Sequence, residues 1–270
     1  ENNSLFLGSN PSGTTDTASA NVAVGINALD SITTGDNNVA IGYQALTSNT
    51  TGSDNTAIGL ISLYNNTTGI RNTALGSASL YANISGSNNT ASGYQSLYQN
   101  TTGSGNVALG RYSLHQNTEG DSNTASGAAS LEKNTTGSYN TASGNGSLYL
   151  NTTGENNTAM GYRSLQQNTT GANNTAFGGF SLNKNQSGNN NTASGYYSLR
   201  LNTTGSNNTA FGREAGELIT TGSNNVIIGY QADPGTNAAE NQIVIGQGAT
   251  GVANNSVTLG NADVTAVYMA

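Results

Sequence analysis

The sequence predicts an all-β fold, a parallel β-roll or β-solenoid of 17-residue coils, from three observations. Fifteen glycines stand 17 residues apart without an insertion, from Gly8 through Gly25, Gly42, Gly59 and Gly76 to Gly229 and Gly246. So short and strict a period means that every copy meets the same neighbours above and below, as one turn of a stack does. Within each copy a small residue, a leucine and an Asn-Thr-Thr-Gly segment keep fixed offsets from that glycine, as in Asn89 to Gly105. Finally, a unit this rich in Gly, Asn and Thr, with one large apolar site, has poor helix propensity.

Positions are numbered from the asparagine four residues before the column glycine, which is then position five. Positions one to five read as a strand. Position two is β-branched (Val22, Val39, Thr56, Val107, Val226), and position three is Ala from Ala23 to Ala210. Alternation sends positions two and four to one face and three and five to the other. The Ala-Gly face must therefore approach something closely, and the glycine is expected where the coil turns against its own opposite wall. Position four runs from Ile41 and Ile58 through Ser92 and Ser126 to Met160 and Phe177, so it is expected at a subunit seam or a partly exposed face. Around position eight (Ala or Ser) and position nine (Leu29 to Leu199) a second strand-like piece is expected, its leucines stacking at about 4.8 Å. The Asn-Thr-Thr-Gly segment closes the coil, with Asn and Gly tolerating positive φ and Asn side chains able to bond their own copies one coil along.

One Leu and a few small side chains bury about 150 Å² of apolar area per coil, worth about 4 kcal/mol at roughly 25 cal/mol/Å². Ordering each residue costs about 1–2 kcal/mol. A lone chain looks under-cored on this reckoning, and a parallel homo-oligomer burying the faces of positions two and four is expected.

The chain has 270 residues, no break in composition and only 8% charged residues, and it reads as one elongated domain about 70 Å long at strand spacing. Its expected parts are an N-terminal capping coil over 1–20, thirteen 17-residue repeats over 21–241, and C-terminal coils over 242–270 that shorten to a 14-residue step and lead to a neighbouring domain. Bulk at the ends, in Leu5, Phe6, Leu7, Ile227, Val244 and Ile245, fits terminal coils. Beginning at Glu1 rather than Met suggests a processed or excised piece. A net charge of −7 with seven scattered Lys and Arg argues against nucleic acid. The absence of Cys removes disulfides and thiolate metal sites, and no apolar run is long enough for membrane insertion.

No enzyme, cofactor or metal site is expected. His115 is the only histidine and shares position ten with Tyr64, Tyr81 and Tyr98. Asp36, Asp54 and Asp121 fall at turns but lack the pattern of calcium-binding β-rolls. The Gly-rich spacings carry no P-loop lysine. Three columns are candidates for binding. Tyr64, Tyr81, Tyr98 and His115, in four successive coils, form an aromatic strip that could stack on sugars or simply stabilise the stack. Tyr43, Tyr94, Tyr162 and Tyr196 at position six make a weaker, discontinuous one. The paired threonines Thr50, Thr51, Thr67, Thr68, Thr101, Thr102, Thr135, Thr136, Thr152 and Thr153 resemble the array of an ice-binding β-solenoid, although Ile84, Ser85, Glu119, Gln186 and Ser187 interrupt the columns. Asn49, Asn66, Asn83, Asn100, Asn134, Asn151, Asn168, Asn185 and Asn202 match N-glycosylation acceptors or are simply turn residues.

The runs Asn38-Val-Ala-Ile-Gly42 and Asn55-Thr-Ala-Ile-Gly59 resemble the YadA-like head repeats of trimeric autotransporter adhesins, and similar repeats occur in phage tail fibres. Asn255-Ser-Val-Thr-Leu-Gly260, 14 residues beyond Gly246, has that family's spacing and strand motif; the other coils are three residues longer. The resemblance implies a left-handed parallel β-roll, a tight homotrimer, an extracellular, cell-surface or virion location, and attachment to a host-surface receptor or glycan. The expected function is thus the structural or adhesive part of a fibre, with ice binding or carbohydrate binding as the alternatives.

Overall fold

A computed structural model describes residues 4–8 and 17–264, so most of the expected capping coil at 1–20 and the last six residues lie outside the described residues. The chain is a parallel β-solenoid with a 17-residue repeat and no helix among the described residues. It divides into two compact units, Glu1–Tyr139 and Asn140–Ala270. The first carries β1 (Leu5–Gly8), β2 (Val22–Gly25), β3 (Val39–Ile41), β4 (Thr56–Ile58), β5 (Thr73–Leu75), β6 (Thr90–Ser92), β7 (Val107–Leu109) and β8 (Thr124–Ser126). The second carries β9 (Thr141–Ser143), β10 (Thr158–Met160), β11 (Thr175–Phe177), β12 (Thr192–Ser194), β13 (Thr209–Phe211), β14 (Val226–Ile228), β15 (Ile243–Ile245) and β16 (Val257–Leu259). Within each unit every strand pairs in parallel with the next, and like positions lie opposite one another, as in Thr56↔Thr73 and Thr158↔Thr175. From β15 to β16 the register is Ile243↔Val257, a step of 14 residues.

Each coil has one short strand. The second strand expected around the leucine is a run of turns instead. The cause is backbone conformation: positions seven and nine are left-handed, with φ of 52° at Gln95 and 50° at Leu97, and position seventeen follows suit at Asn88 (60°). A left-handed leucine costs about 1–2 kcal/mol. Its return is that Leu97 is fully buried, worth about 1.5–3 kcal/mol, and its N–H donates to Ser113 of the next coil. Turns closed by Ser96 N–H to the Gly93 carbonyl and Asn100 N–H to the Leu97 carbonyl hold this corner. Small residues persist at position eight because the serine is fully buried and its hydroxyl returns to the position-five carbonyl, as Ser96 does to Gly93 at 3.0 Å.

The core is more polar than the apolar sum allowed. Two asparagine columns, at positions one and twelve, are completely buried beside the alanines and leucines. At position one, the Asn89 backbone N–H donates to Asn72 Oδ1 at 3.0 Å, and the Asn89 amide donates to the Gly103 carbonyl at 2.8 Å. At position twelve, the Asn100 amide donates to Asn83 Oδ1 at 2.8 Å and to the same Gly103 carbonyl at 2.9 Å. Both columns thus converge on the position-fifteen glycine. A Cβ on Gly103 would lie 2.5 Å from Asn100 Oδ1 and 2.6 Å from the Gly120 carbonyl oxygen, so that glycine is required by space. Isoleucine takes the place of asparagine in this column at Ile32 in the first unit and at Ile219 in the second. The Oδ1 of Asn202, the last asparagine before Ile219, is buried without a donor.

The column glycine at position five has a different cause from the one expected. Gly59 has φ +139°, and a Cβ on it would lie 2.6 Å from the Gly76 carbonyl oxygen. The close approach is along the stack, to the next coil's glycine, rather than across to an opposite wall. The expected bulk at the end is split: Ile227 and Val244 are buried in the alanine column, whereas Ile245 points outward.

Candidate functional site

With its backbone and core committed internally, the solenoid's recognition chemistry resides in the side chains that vary from coil to coil. Positions six, seven and ten lie on the turn that follows the strand. They carry eleven of the chain's thirteen tyrosines, four of its five arginines and its histidine. The opposite turn, at positions thirteen to seventeen, is mostly Thr, Ser, Gly and Asn.

In the first unit Tyr64, Tyr81, Tyr98 and His115 stack, with ring centroids 5.3, 5.1 and 5.2 Å apart and planes within 15°. His115 Nδ1 lies 3.1 Å from the Gln95 carbonyl, which places a proton on that nitrogen. Tyr112 meets the His115 ring edge-on at 5.2 Å and carries the Arg111 guanidinium at 4.5 Å. Tyr81 and Tyr98 therefore have both faces covered by neighbouring rings. A sugar stacks on a free ring face, and this strip offers solvent mainly edges and hydroxyls. The stacking contributes about 0.5–1.5 kcal/mol of cohesion per aromatic pair.

The threonine pairs sit in a bend rather than on a flat strand. The first hydroxyl of each pair is spent internally: Thr50 donates to the Thr67 carbonyl at 3.1 Å, Thr101 to Thr118 at 3.0 Å and Thr152 to Thr169 at 3.0 Å. The N–H groups of Thr50, Thr51 and Gly52 converge on that same Thr67 oxygen. Thr67 and Thr135 are half-buried like the other first members, whereas Thr51, Thr68, Thr102, Thr136 and Thr153 are exposed. One open hydroxyl column remains, not the paired flat array of the ice-binding comparison.

Asn88, Asn156, Asn173, Asn190 and Asn207 also head Asn-x-Thr triplets and are exposed, whereas the nine acceptors singled out from the sequence are the position-twelve core asparagines. All nine are fully buried, and Asn66, for example, donates its amide to Asn49 Oδ1 at 2.8 Å and to the Gly69 carbonyl at 3.0 Å. The folded coil hides them from any transferase. Asp36 and Asp121 accept the backbone N–H of Ser19 and Ser104, each at 2.7 Å, and Asp54 accepts from the Asn37 amide at 3.1 Å. They hold turns. Among the described residues no three His, Cys, Asp or Glu side chains cluster as a metal site would need, and no helix is long and apolar enough to cross a membrane.

The second unit assembles a cluster that the position-six pattern alone disguised. Tyr162 and Tyr196 are two coils apart in that column with Gly179 between them, and the gap is filled from position seven by Phe180 and Tyr197. Tyr162 and Phe180 meet at 5.2 Å and 84°, Phe180 and Tyr197 at 5.3 Å, and Tyr196 and Tyr197 at 4.0 Å. Arg163 lies over Tyr162 at 5.0 Å and Arg200 over Tyr197 at 4.5 Å; Arg213 sits 5.6 Å from Tyr230. Arg200 pairs with Glu217, and Arg213 pairs with Glu214 at 2.8 Å.

The hydrogen bond from Gln231, at 2.8 Å, and the Arg213 pair hold the Glu214 carboxyl below its ordinary range, and Glu214 in turn raises the Arg213 guanidinium. A hydrogen bond with Tyr197 raises the Tyr196 phenol. Beside them Asp233 occupies the leucine column. Burial, with Glu217 and Glu214 nearby, pushes it up to about 6 despite the Leu218 N–H it accepts at 3.0 Å. Reading positions six and seven as one strip would have found this cluster. No protein-family model matches the chain, and no curated protein is similar to it.

Proposed function

We propose that this chain is the structural and adhesive segment of an extracellular fibre, a surface-adhesin head or a tail-fibre shaft, assembled as a parallel homotrimer of left-handed rolls. It acts as a scaffold, presents a binding surface to a host receptor or glycan, and performs no catalysis. One observation carries the reading. The outward face of the strands carries large apolar residues in most coils, with Ser92, Ser126, Ser143 and Ser194 between them: Ile41, Ile58, Phe177 and Phe211 are 38%, 40%, 42% and 46% exposed. Large apolar residues repeated along one exposed face mark a contact surface, and a chain with one such face in most of its coils suits a symmetric assembly of like chains. The head-repeat resemblance at Asn38–Gly42 and Asn55–Gly59 points the same way.

Sedimentation equilibrium tests this directly. The expected species is a trimer, and Ile58→Lys together with Phe177→Lys shifts it to monomer while the β spectrum persists. A wild-type chain that sediments as a stable monomer overturns the trimer.

A further inference from the structure

We propose that the aromatic and arginine corner of the second unit, from Tyr162 to Tyr230, binds an oligosaccharide, with sugar rings seated on Tyr162 and Tyr196. The inference rests on the fibre reading for its biological setting but not for its chemistry. Four observations support it.

First, the rings are arranged unlike those of the stacked strip. Tyr162 and Phe180 stand nearly perpendicular, and Tyr162 and Tyr196 remain 46% and 43% exposed. Arg163 lies over one face of Tyr162, and Tyr197 packs against Tyr196 at 4.0 Å and 35°, so the exposure of each ring leaves one face for the apolar side of a sugar. Second, Gly179 seats Tyr196: a Cβ there would come within 3.3 and 3.5 Å of two Tyr196 ring carbons, and Gly179 has no left-handed φ that would otherwise demand glycine. Its small size makes room for the ring. Third, the two tyrosines are two coils apart, about 10 Å at strand spacing, a separation that seats alternate rather than adjacent rings of an extended sugar chain. Fourth, the polar groups beside them come as fixed Arg–Glu pairs, Arg213 with Glu214 and Arg200 with Glu217, donors and acceptors together, as neighbouring sugar hydroxyls require. Nucleic acid fits poorly, because two of the three guanidiniums are already neutralised and the chain carries −7.

The test uses the whole chain with three probes: cellohexaose and maltohexaose as neutral chains and hexagalacturonate as a carboxylated one. Binding is followed by calorimetry and by the chemical shifts of the tyrosine rings. At least one probe is expected to bind. Tyr196→Ala and Gly179→Val each weaken it tenfold or more, and Tyr81→Ala in the stacked strip changes it less than twofold. Preference for hexagalacturonate, lost in Arg163→Gln, identifies an acidic glycan; equal binding identifies a neutral one. Circular dichroism of each variant establishes that it is folded. Failure of all three probes to bind overturns the proposal, as does a folded Tyr196→Ala that binds like wild type or a Tyr81→Ala that loses binding equally. A chain that binds sugar yet sediments as a monomer refutes the trimer alone.

Discussion

Replacing Asn100 by Asp changes almost no volume and inverts the hydrogen bonding of a fully buried site. The Asn100 amide nitrogen donates to Asn83 Oδ1 at 2.8 Å and to the Gly103 carbonyl at 2.9 Å, while its oxygen accepts from Asn117 at 2.8 Å. A carboxylate oxygen in place of the nitrogen faces two acceptors. Gly103 keeps its bond from Asn89, but Asn83 Oδ1 is left without a donor. An orphaned buried acceptor costs about 1–3 kcal/mol, and an ionised carboxylate with a single amide donor adds several more before relaxation. About 3–5 kcal/mol of destabilisation is expected near neutral pH.

Because a protonated carboxyl can donate one of the two lost bonds, the folded-state pKa of Asp at this site rises. The folded state then holds its proton longer than the unfolded state, so the penalty grows as pH rises above the ordinary carboxylate range and shrinks toward about 1–2 kcal/mol below it. Asn88→Asp, at an exposed position of the same coil, should stay within about 0.5 kcal/mol. Repeat arrays need not unfold in one step, so denaturant titration is paired with hydrogen exchange resolved by peptide, and early opening is expected around residues 83–117. If Asn100→Asp and Asn88→Asp unfold at the same denaturant concentration, the buried ladder is not what holds the coils.

Two further outcomes are expected. Asp233, pushed up from 3.8 to about 6 chiefly by burial, binds its proton more tightly folded than unfolded; stability therefore falls as pH rises between those values, and Asp233→Asn should flatten that part of the melting-temperature profile. An N-glycosyltransferase should modify Asn66 and Asn100 in the denatured chain and leave them untouched in the folded one, read by peptide mass mapping, since both are fully buried, while exposed acceptors such as Asn88 and Asn207 react in both states.

The 17-residue period, the strand at positions one to five, the buried alanine and leucine columns and the partly exposed position four were legible in the sequence because each is a matter of spacing or size. The left-handed leucine was not: Leu97 has no intrinsic preference for φ near 50° and adopts it because its N–H then reaches the next coil. The position-one ladder was equally hidden. Asn89 reads as the first residue of a strand, and only the Gly103 carbonyl brought beside it by the coil shows what its amide does. Among the candidate sites, the sequence correctly aligned Tyr64, Tyr81, Tyr98 and His115 in one column, but ring orientation, which spacing cannot convey, covers the faces that would bind. The Tyr162 to Tyr230 cluster was missed because it interleaves two columns.

A column of identical asparagines carries a hazard of its own. From Ala40 to Leu199 the coil interiors are alike, so a coil there that skipped its neighbour and paired one step further on would meet the same alanine, leucine and amide partners. Ile32 and Ile219 break that degeneracy. An isoleucine laid against an asparagine amide strands the amide, as Asn202 Oδ1 is already stranded beside Ile219, so each misplaced isoleucine adds an unsatisfied group. These two residues act as index marks that count the coils, and exchanging either for asparagine should yield chains that melt normally but refold into a mixture of registers.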